Sequence, residues 1–176
     1  MGDSWLYNEL GRGAVVGSKN TLAVMSTKEG LAAALSGDFL SRLNPNTVYL
    51  TFAVPAEKVD MPLVALDMEW IDATGANHSP SPGFSVSYFE SAKHLVQLSS
   101  VIGAMASGGN HSFLIVNSLN EIIDANGEEK AAEFMSFLAS RLKSSGMGGL
   151  FFILADAKTA RFIKTISPLF DDVMKL

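Results

Sequence analysis

The ingredients of a phosphate-binding site lie between positions 11 and 30, in the stretch GRGAVVGSKNTLAVMSTKEG. A phosphate loop follows a strand and reads G-x-x-x-x-G-K-[ST] before a helix, because its backbone N–H groups wrap the phosphates and its lysine neutralises them. Here five residues separate Gly11 from Gly17, Ser18 precedes Lys19, and the whole group precedes the first apolar run. This order predicts a turn that leads into a strand and not a phosphate loop.

The position that a phosphate loop would occupy, directly after the first apolar run, holds STKEG at residues 26–30. Its single glycine leaves no room for a cradle of N–H groups. Ser26, Thr27 and Lys28 are still candidate ligand-binding residues, because ligands of parallel sheets bind at the carboxyl ends of the strands. For Lys28 the alternative interpretation, which we favour, is a solvated lysine in the first turn of a helix.

Polar residues also follow other apolar runs. Asn117 and Ser118 come directly after FLIV, and Asp156 comes after GLFFILA, so these three residues complete the set of candidate ligand-binding positions. Asp72, at the end of MEWIDA, has the chemistry to bind a cation or a ribose. The interpretation we favour is that its carboxylate accepts N–H bonds in the following turn.

Neither a metal site nor a catalytic residue is predicted. His78, His94 and His111 fall in a loop, a helix and a strand start, and no two of them share a metal-ligand spacing. The chain has no cysteine, which excludes disulfides, thiol catalysis and cysteine-rich zinc sites. No G-x-S-x-G stretch provides the strained turn of a serine hydrolase.

The candidate residues are positioned by short, nearly continuous apolar runs that alternate with helical patterns. Runs rich in Val, Ile, Phe and Tyr predict strands buried on both faces. They are TLAVMS (21–26), TVYLTFAV (47–54), MEWIDA (68–73), SFLIVNS (112–118) and GLFFILA (149–155), with helical patterns over 29–43, 88–105 and 127–146. We therefore predict a single α/β domain over residues 1–176, a three-layer α/β/α sandwich with a mostly parallel central sheet.

Other segments are less regular. AEKVDMPLVAL (56–66) predicts a short or broken helix because Pro62 interrupts it, and ANHSPSPGFSVS (76–87) predicts a surface loop. A loop is also expected between the fourth strand and the helix that starts near 127. The tail predicts a helix, a break at Pro168 and a last edge strand, DDVMKL.

Composition limits the partners. Apolar residues make up 48% and charged residues 18%, and the net charge of -5 opposes attraction to phosphate backbones, so we expect no nucleic-acid partner. The longest apolar runs are far shorter than the roughly 20 residues of a transmembrane helix, so no membrane partner is expected either. MGDSWLYNELGRG has neither the positive charge nor the apolar run of a signal peptide, and we expect a cytoplasmic protein.

Two strand ends carry a further pattern. TFAVPAEKV places Ala53 and Val54 before a proline, and FLIV runs into Asn117-Ser118. With these stretches and the final DDVMKL, the order of elements across almost the whole chain resembles the RecA superfamily, particularly the KaiC-like domains common in archaea. In that family the second strand usually ends in a pattern like S-F-E-E-P, whose acids serve as catalytic base, and the Walker B strand ends in a magnesium-orienting aspartate.

The resemblance implies a RecA/KaiC-like topology of the P-loop NTPase type in which the motifs are altered. Ala53 and Val54 would replace the acids and cannot accept a proton from water. Asn117 would replace the aspartate, and an uncharged amide holds magnesium poorly. STKEG would stand at the Walker A position. We therefore expect no cofactor, and no motif supports ATP or ADP binding.

Two hypotheses follow. The first is a noncatalytic KaiC/RecA-like domain that serves as a regulatory or assembly module. The family resemblance implies oligomers, so we expect self-association or pairing with an intact ATPase. The second is a protein, even a weak ATPase, that binds a nucleotide or another small molecule through the candidate residues at the strand ends.

Overall fold

The computed structural model describes residues 5–10, 17–44, 46–59, 68–76 and 85–176. The strands in these ranges are β1 (Asn20–Met25), β2 (Thr47–Thr51), β3 (Glu69–Asp72), β4 (Ser85–Tyr88), β5 (Phe113–Asn117), β6 (Gly148–Leu154) and β7 (Asp172–Lys175). The helices are α1 (Trp5–Leu10), α2 (Lys28–Ala33), α3 (Gly37–Leu40), α4 (Leu95–Gly108), α5 (Leu119–Asn126), α6 (Glu128–Ser145) and α7 (Ala160–Ile166). Single 3-10 turns lie at Ala56–Lys58 and Ser167–Leu169.

The described strands form one sheet in the order β4-β3-β2-β5-β6-β1-β7. Every neighbouring pair is parallel. Because all strands point the same way, the carboxyl ends of β1, β2, β5 and β6 lie at one edge of the sheet. The helices α2 and α5 begin at this edge, shortly after β1 and β5. The predicted parallel α/β architecture is confirmed.

Alternate residues of the central strands enter two separate apolar cores, as the period of two along a strand requires. Leu22 and Val24 of β1 pack under α4, α5, α6 and α7, whereas Ala23 and Met25 pack under α1, α2 and α3. Helices therefore cover both faces of the sheet, and the three-layer sandwich follows from strands that are apolar on both sides.

The prediction that residues 76–87 form a surface loop is wrong for its last part. Ser85–Tyr88 is the edge strand β4, which pairs in parallel with β3, Glu69 opposite Ser85 and Asp72 opposite Tyr88. The prolines and serines of this segment favour a loop, so the short polar-apolar alternation of S-V-S-Y was not recognised as a strand. Pairing with β3, a tertiary contact, creates the strand.

The predicted helix over 29–43 is two short helices. Ser36 begins α3 by accepting a hydrogen bond from the Phe39 N–H at 3.2 Å, which ends the continuity after α2. At the break, the carbonyl of Ala34 accepts a hydrogen bond from the Tyr49 hydroxyl at 2.7 Å. The helix is therefore interrupted although its apolar residues have helical spacing, because Ser36 caps a new helix and Tyr49 provides a hydrogen bond to the Ala34 carbonyl.

Two other boundaries differ from the prediction. The helix expected from residue 88 begins at Leu95, because Tyr88 belongs to β4. The loop expected before α6 is mostly the helix α5, which buries Leu119 and Ile122 three residues apart on one face.

Several predictions fall outside the described residues. They are the turn over residues 11–16, most of the broken helix (60–66), most of the loop (77–84) and the position of His78. Within the described ranges, no helix is long and apolar enough to cross a bilayer. One domain over residues 1–176 stays a prediction.

Candidate functional site

A cleft of about 430 Å³ opens at the carboxyl edge of the sheet. Four of the six candidate residues line it: Lys28 at the start of α2, Asn117 and Ser118 after β5, and Asp156 after β6. Residues far apart in sequence meet there because their strands are parallel neighbours.

Ser26 and Thr27 do not line this cleft in the described structure. The Thr27 hydroxyl is the N-cap of α2 and accepts the N–H of Gly30 at 3.0 Å. The N–H of Ser26 donates to the Leu176 carbonyl at 2.8 Å and so extends the pairing of β1 with the end of the chain. Only these two residues separate Met25, the end of β1, from the first residue of α2.

Asn117 ends β5 and is 1% exposed. Its side chain forms a hydrogen bond with the Tyr49 hydroxyl. Burial raises the pKa of this hydroxyl far above its ordinary value, and the bond from Asn117 offsets only a small part of that rise. Within the described part of the chain, the Asn117 Oδ1 atom is buried without a hydrogen-bond partner. A buried acceptor without a partner is costly to the folded state.

Ser118, the next residue, is fully buried and has φ 70° and ψ 88°. It is the non-glycine residue with positive φ among those described, at the turn from β5 into α5. This region of backbone space costs a serine of the order of 1 kcal/mol or more and is found at functional turns. Its Oγ also has no partner among the described atoms.

No activated serine nucleophile follows from this geometry. A serine needs a neighbouring base to lose its proton. The described residues that line the cleft include no histidine, and Lys28 is their single lysine. Ser118 is therefore a hydrogen-bonding group in this cleft.

Acidic groups dominate the charge of the cleft. Glu121 and Asp124 of α5 and Asp156 line it, against the one ammonium of Lys28. The Oε2 atom of Glu121 is buried and has no hydrogen-bond partner in the described structure. Neither Glu121 nor Asp124 was predicted, because their segment was expected to be a loop.

Asp156 has a structural role as well. Its Oδ1 accepts the N–H groups of Lys158 and Thr159, each at 2.8 Å, and closes the turn between β6 and α7. These bonds, that of the Thr159 N–H foremost, lower the pKa of the carboxyl, which is therefore ionised at neutral pH.

Asn120 positions the cleft and was missed from sequence. Its Nδ2 donates to the Leu154 carbonyl at 3.2 Å, and its Oδ1 accepts the Leu154 N–H at 2.9 Å. The side chain thus pairs with the main chain of β6 as a neighbouring strand would, and it fixes α5 at the end of β6. The signal in the sequence was an amide three residues after the strand end at Asn117.

Asp72, His94 and His111 do not line the cleft. Asp72 is fully buried and accepts bonds from the N–H of Ala56 at 2.8 Å and of Thr74 at 2.9 Å, which confirms the interpretation we favoured. His111 contacts Glu69 at 3.4 Å, and His94 precedes α4. Across the described ranges no group of three metal-binding side chains is found.

Comparison with known proteins agrees with the fold. The model of a family of unknown function, DUF7504, matches residues 92–176, from three residues before α4 to the end of the chain. No curated protein matches the sequence. A KaiC-like protein of the hyperthermophilic archaeon Pyrococcus horikoshii, known from a crystal structure, superposes with a TM-score of 0.60 at 14% identity, over 94% of this chain and 76% of that one. The chain therefore has the RecA-type α/β fold of a KaiC-like protein.

Proposed function

We propose that this protein is a noncatalytic KaiC-like domain, a regulatory module that does not turn over ATP. The observation that carries the proposal is the two-residue connection between β1 and α2. A triphosphate needs several N–H groups that point into one concave loop. Here Thr27 takes the Gly30 N–H, and α2 has only six residues.

The residues at the other two motif positions support the same conclusion. Ala53 and Val54 follow β2 and line the cleft with methyl groups, which accept no proton from water. Asn117 ends β5 with a neutral amide where a magnesium site needs charge. A metal-bound triphosphate would also meet the carboxylates of Glu121, Asp124 and Asp156, which repel its phosphates.

A second surface supports action through protein contacts. A groove of about 600 Å³ lies between the first halves of α4 and α6, and it is lined by other residues than the cleft. Val96 and Phe137 at this groove are 77% and 42% exposed. Large exposed apolar side chains that share one groove are typical of a protein-contact surface.

A second candidate function is small-molecule binding in the strand-edge cleft. It is favoured by the buried acceptors of Asn117 and Ser118, which have no partner within the described structure. Binding and regulation are compatible, since a ligand that binds only one state of a module shifts its population.

The first experiment is phosphate release from millimolar Mg-ATP by the full chain, with thermal unfolding in the same buffer. We expect no turnover above that of heat-inactivated protein and no rise in the unfolding midpoint. Turnover that disappears in a Lys28→Ala variant would overturn the noncatalytic assignment.

The protein-contact part needs its own measurement. We expect the mass in solution to exceed that of one chain at high concentration, or an ATPase partner to be recovered from cell extract. Val96→Asp should weaken either association, and Val173→Asp, at an exposed site on β7, is the matched control. A monomer without any partner would contradict this part.

A further inference from the structure

The first turn of α5 lacks the side-chain hydrogen bonds that usually cap a helix. Ser118-Leu119-Asn120-Glu121 has the S-x-x-E pattern of a capping box, in which serine and glutamate each accept the other residue's backbone N–H. The positive φ of Ser118 removes it from the extended conformation that a cap requires, and no side-chain bond caps the helix. Ser118 Oγ and Glu121 Oε2 are thus left buried and unpartnered within the described structure.

A third acceptor lies beside them. Asn117 is 1% exposed, and its side chain bonds to Tyr49 while its Oδ1 has no partner in the described part of the chain. All three residues line the cleft. Three acceptors without partners, all on residues that line one cleft, favour a ligand group with several N–H donors.

The charge of the cleft specifies that group further. Glu121, Asp124 and Asp156 outnumber Lys28, so the field in the cleft favours a cation. Leu31 of α2 and Leu35, which follows that helix, also line the cleft and give it an apolar surface. Such a surface suits a short chain of methylene groups.

We propose that the strand-edge cleft binds a small organic cation, a primary amine or guanidine on a short aliphatic chain. Its N–H groups would donate to Asn117 Oδ1, Ser118 Oγ and the Glu121 carboxylate, and its methylenes would lie on Leu31 and Leu35. This inference rests on the ligand-binding part of the proposed function. It names the ligand class that the cleft takes in place of a phosphate.

The test is thermal unfolding of the full chain in about 150 mM salt, which screens weak surface attraction. The probes are 1,4-diaminobutane and agmatine, with 1,4-butanediol and succinate as neutral and anionic matches of similar length. At about 100 times its dissociation constant, a bound cation raises the midpoint by about 5 to 10 °C. No rise with either cation up to 10 mM (roughly 100 times a 0.1 mM dissociation constant), or an equal rise with butanediol, overturns the proposal.

Variants locate the binding. Glu121→Gln keeps the shape of the side chain and removes its charge, so we expect at least about tenfold weaker cation binding. Asp124→Asn, at an exposed position, does the same more weakly and does not threaten folding. The control is Glu129→Gln, an exposed acid in the first turn of α6 that does not line the cleft. Equal weakening by the control shows nonspecific attraction and overturns the assigned site.

An Mg-ATP arm in the same experiment separates this inference from the proposed function. Stabilisation by Mg-ATP, with turnover, contradicts the noncatalytic assignment whatever the amines do. Absence of any effect of the amines, with no effect of Mg-ATP, overturns only the amine site.

Discussion

Replacement of Tyr49 by phenylalanine tests the junction between the fold and the cleft. Tyr49 is fully buried in β2, its hydroxyl donates to the Ala34 carbonyl at 2.7 Å, and its ring stacks on Trp70 with centroids 4.6 Å apart. Phenylalanine keeps the ring and its stacking. It leaves the Ala34 carbonyl and the Asn117 amide without their shared partner.

The expected loss of stability follows from these two orphaned groups. A buried polar group that loses its partner costs about 1 to 3 kcal/mol, so Tyr49→Phe should reduce the free energy of unfolding by about 2 kcal/mol at pH 7. For a chain of this size that corresponds to a fall of about 4 to 8 °C in the unfolding midpoint. Urea unfolding followed by tryptophan fluorescence measures it.

The pH dependence gives an independent check. Burial raises the pKa of the folded Tyr49 hydroxyl, so the folded state keeps a proton that the unfolded chain loses above about pH 10. The contribution of this tyrosine is therefore fully present below about pH 10 and is lost as the pH rises further. The difference between the two proteins should be constant from pH 7 to 9 and shrink above pH 10. An unchanged stability at pH 7, or a difference that grows above pH 10, would refute the reasoning.

Two other substitutions test contacts at the two ends of β6. Asn120→Ala removes both side-chain hydrogen bonds to the main chain of Leu154, so it should lower the free energy of unfolding in urea by about 1 to 3 kcal/mol. The Leu154 amide should also exchange faster, and unchanged slow exchange there would contradict the anchoring role of Asn120. Gly148→Ala should cost about 3 kcal/mol, because the new Cβ would lie 2.0 Å from the Gly17 carbonyl oxygen. The control is Gly108→Ala in α4, where no atom lies within 4 Å, and it should raise the midpoint slightly.

The architecture was predictable because its signal is spread over many residues. Each central strand is apolar on both faces, and only a parallel sheet covered by helices on both sides buries such strands. Elements that depend on a few polar contacts were predicted less well. The edge strand β4 exists through pairing with β3, and the break between α2 and α3 depends on one serine cap.

The candidate site was predictable to the same degree and for the same reason. Lys28, Asn117, Ser118 and Asp156 meet because parallel strands bring their carboxyl ends to one edge. Thr27 was placed correctly along the chain, but a local cap occupies its hydroxyl. The acidic character of the cleft comes from α5, a helix that was expected to be a loop, so the sign of the charge could not be inferred.

The unusual backbone of Ser118 connects these findings. A serine with ordinary capping geometry would satisfy itself and Glu121 within α5, and the cleft would then lack two of its acceptors. In the observed turn, the side chains of Ser118 and Glu121 do not cap the helix, while Asn120 holds that helix against β6. A fold that accepts local strain and two unpartnered buried atoms at one place carries a cost that a bound ligand can offset. The amine that we propose for this cleft would supply the donors that these atoms lack.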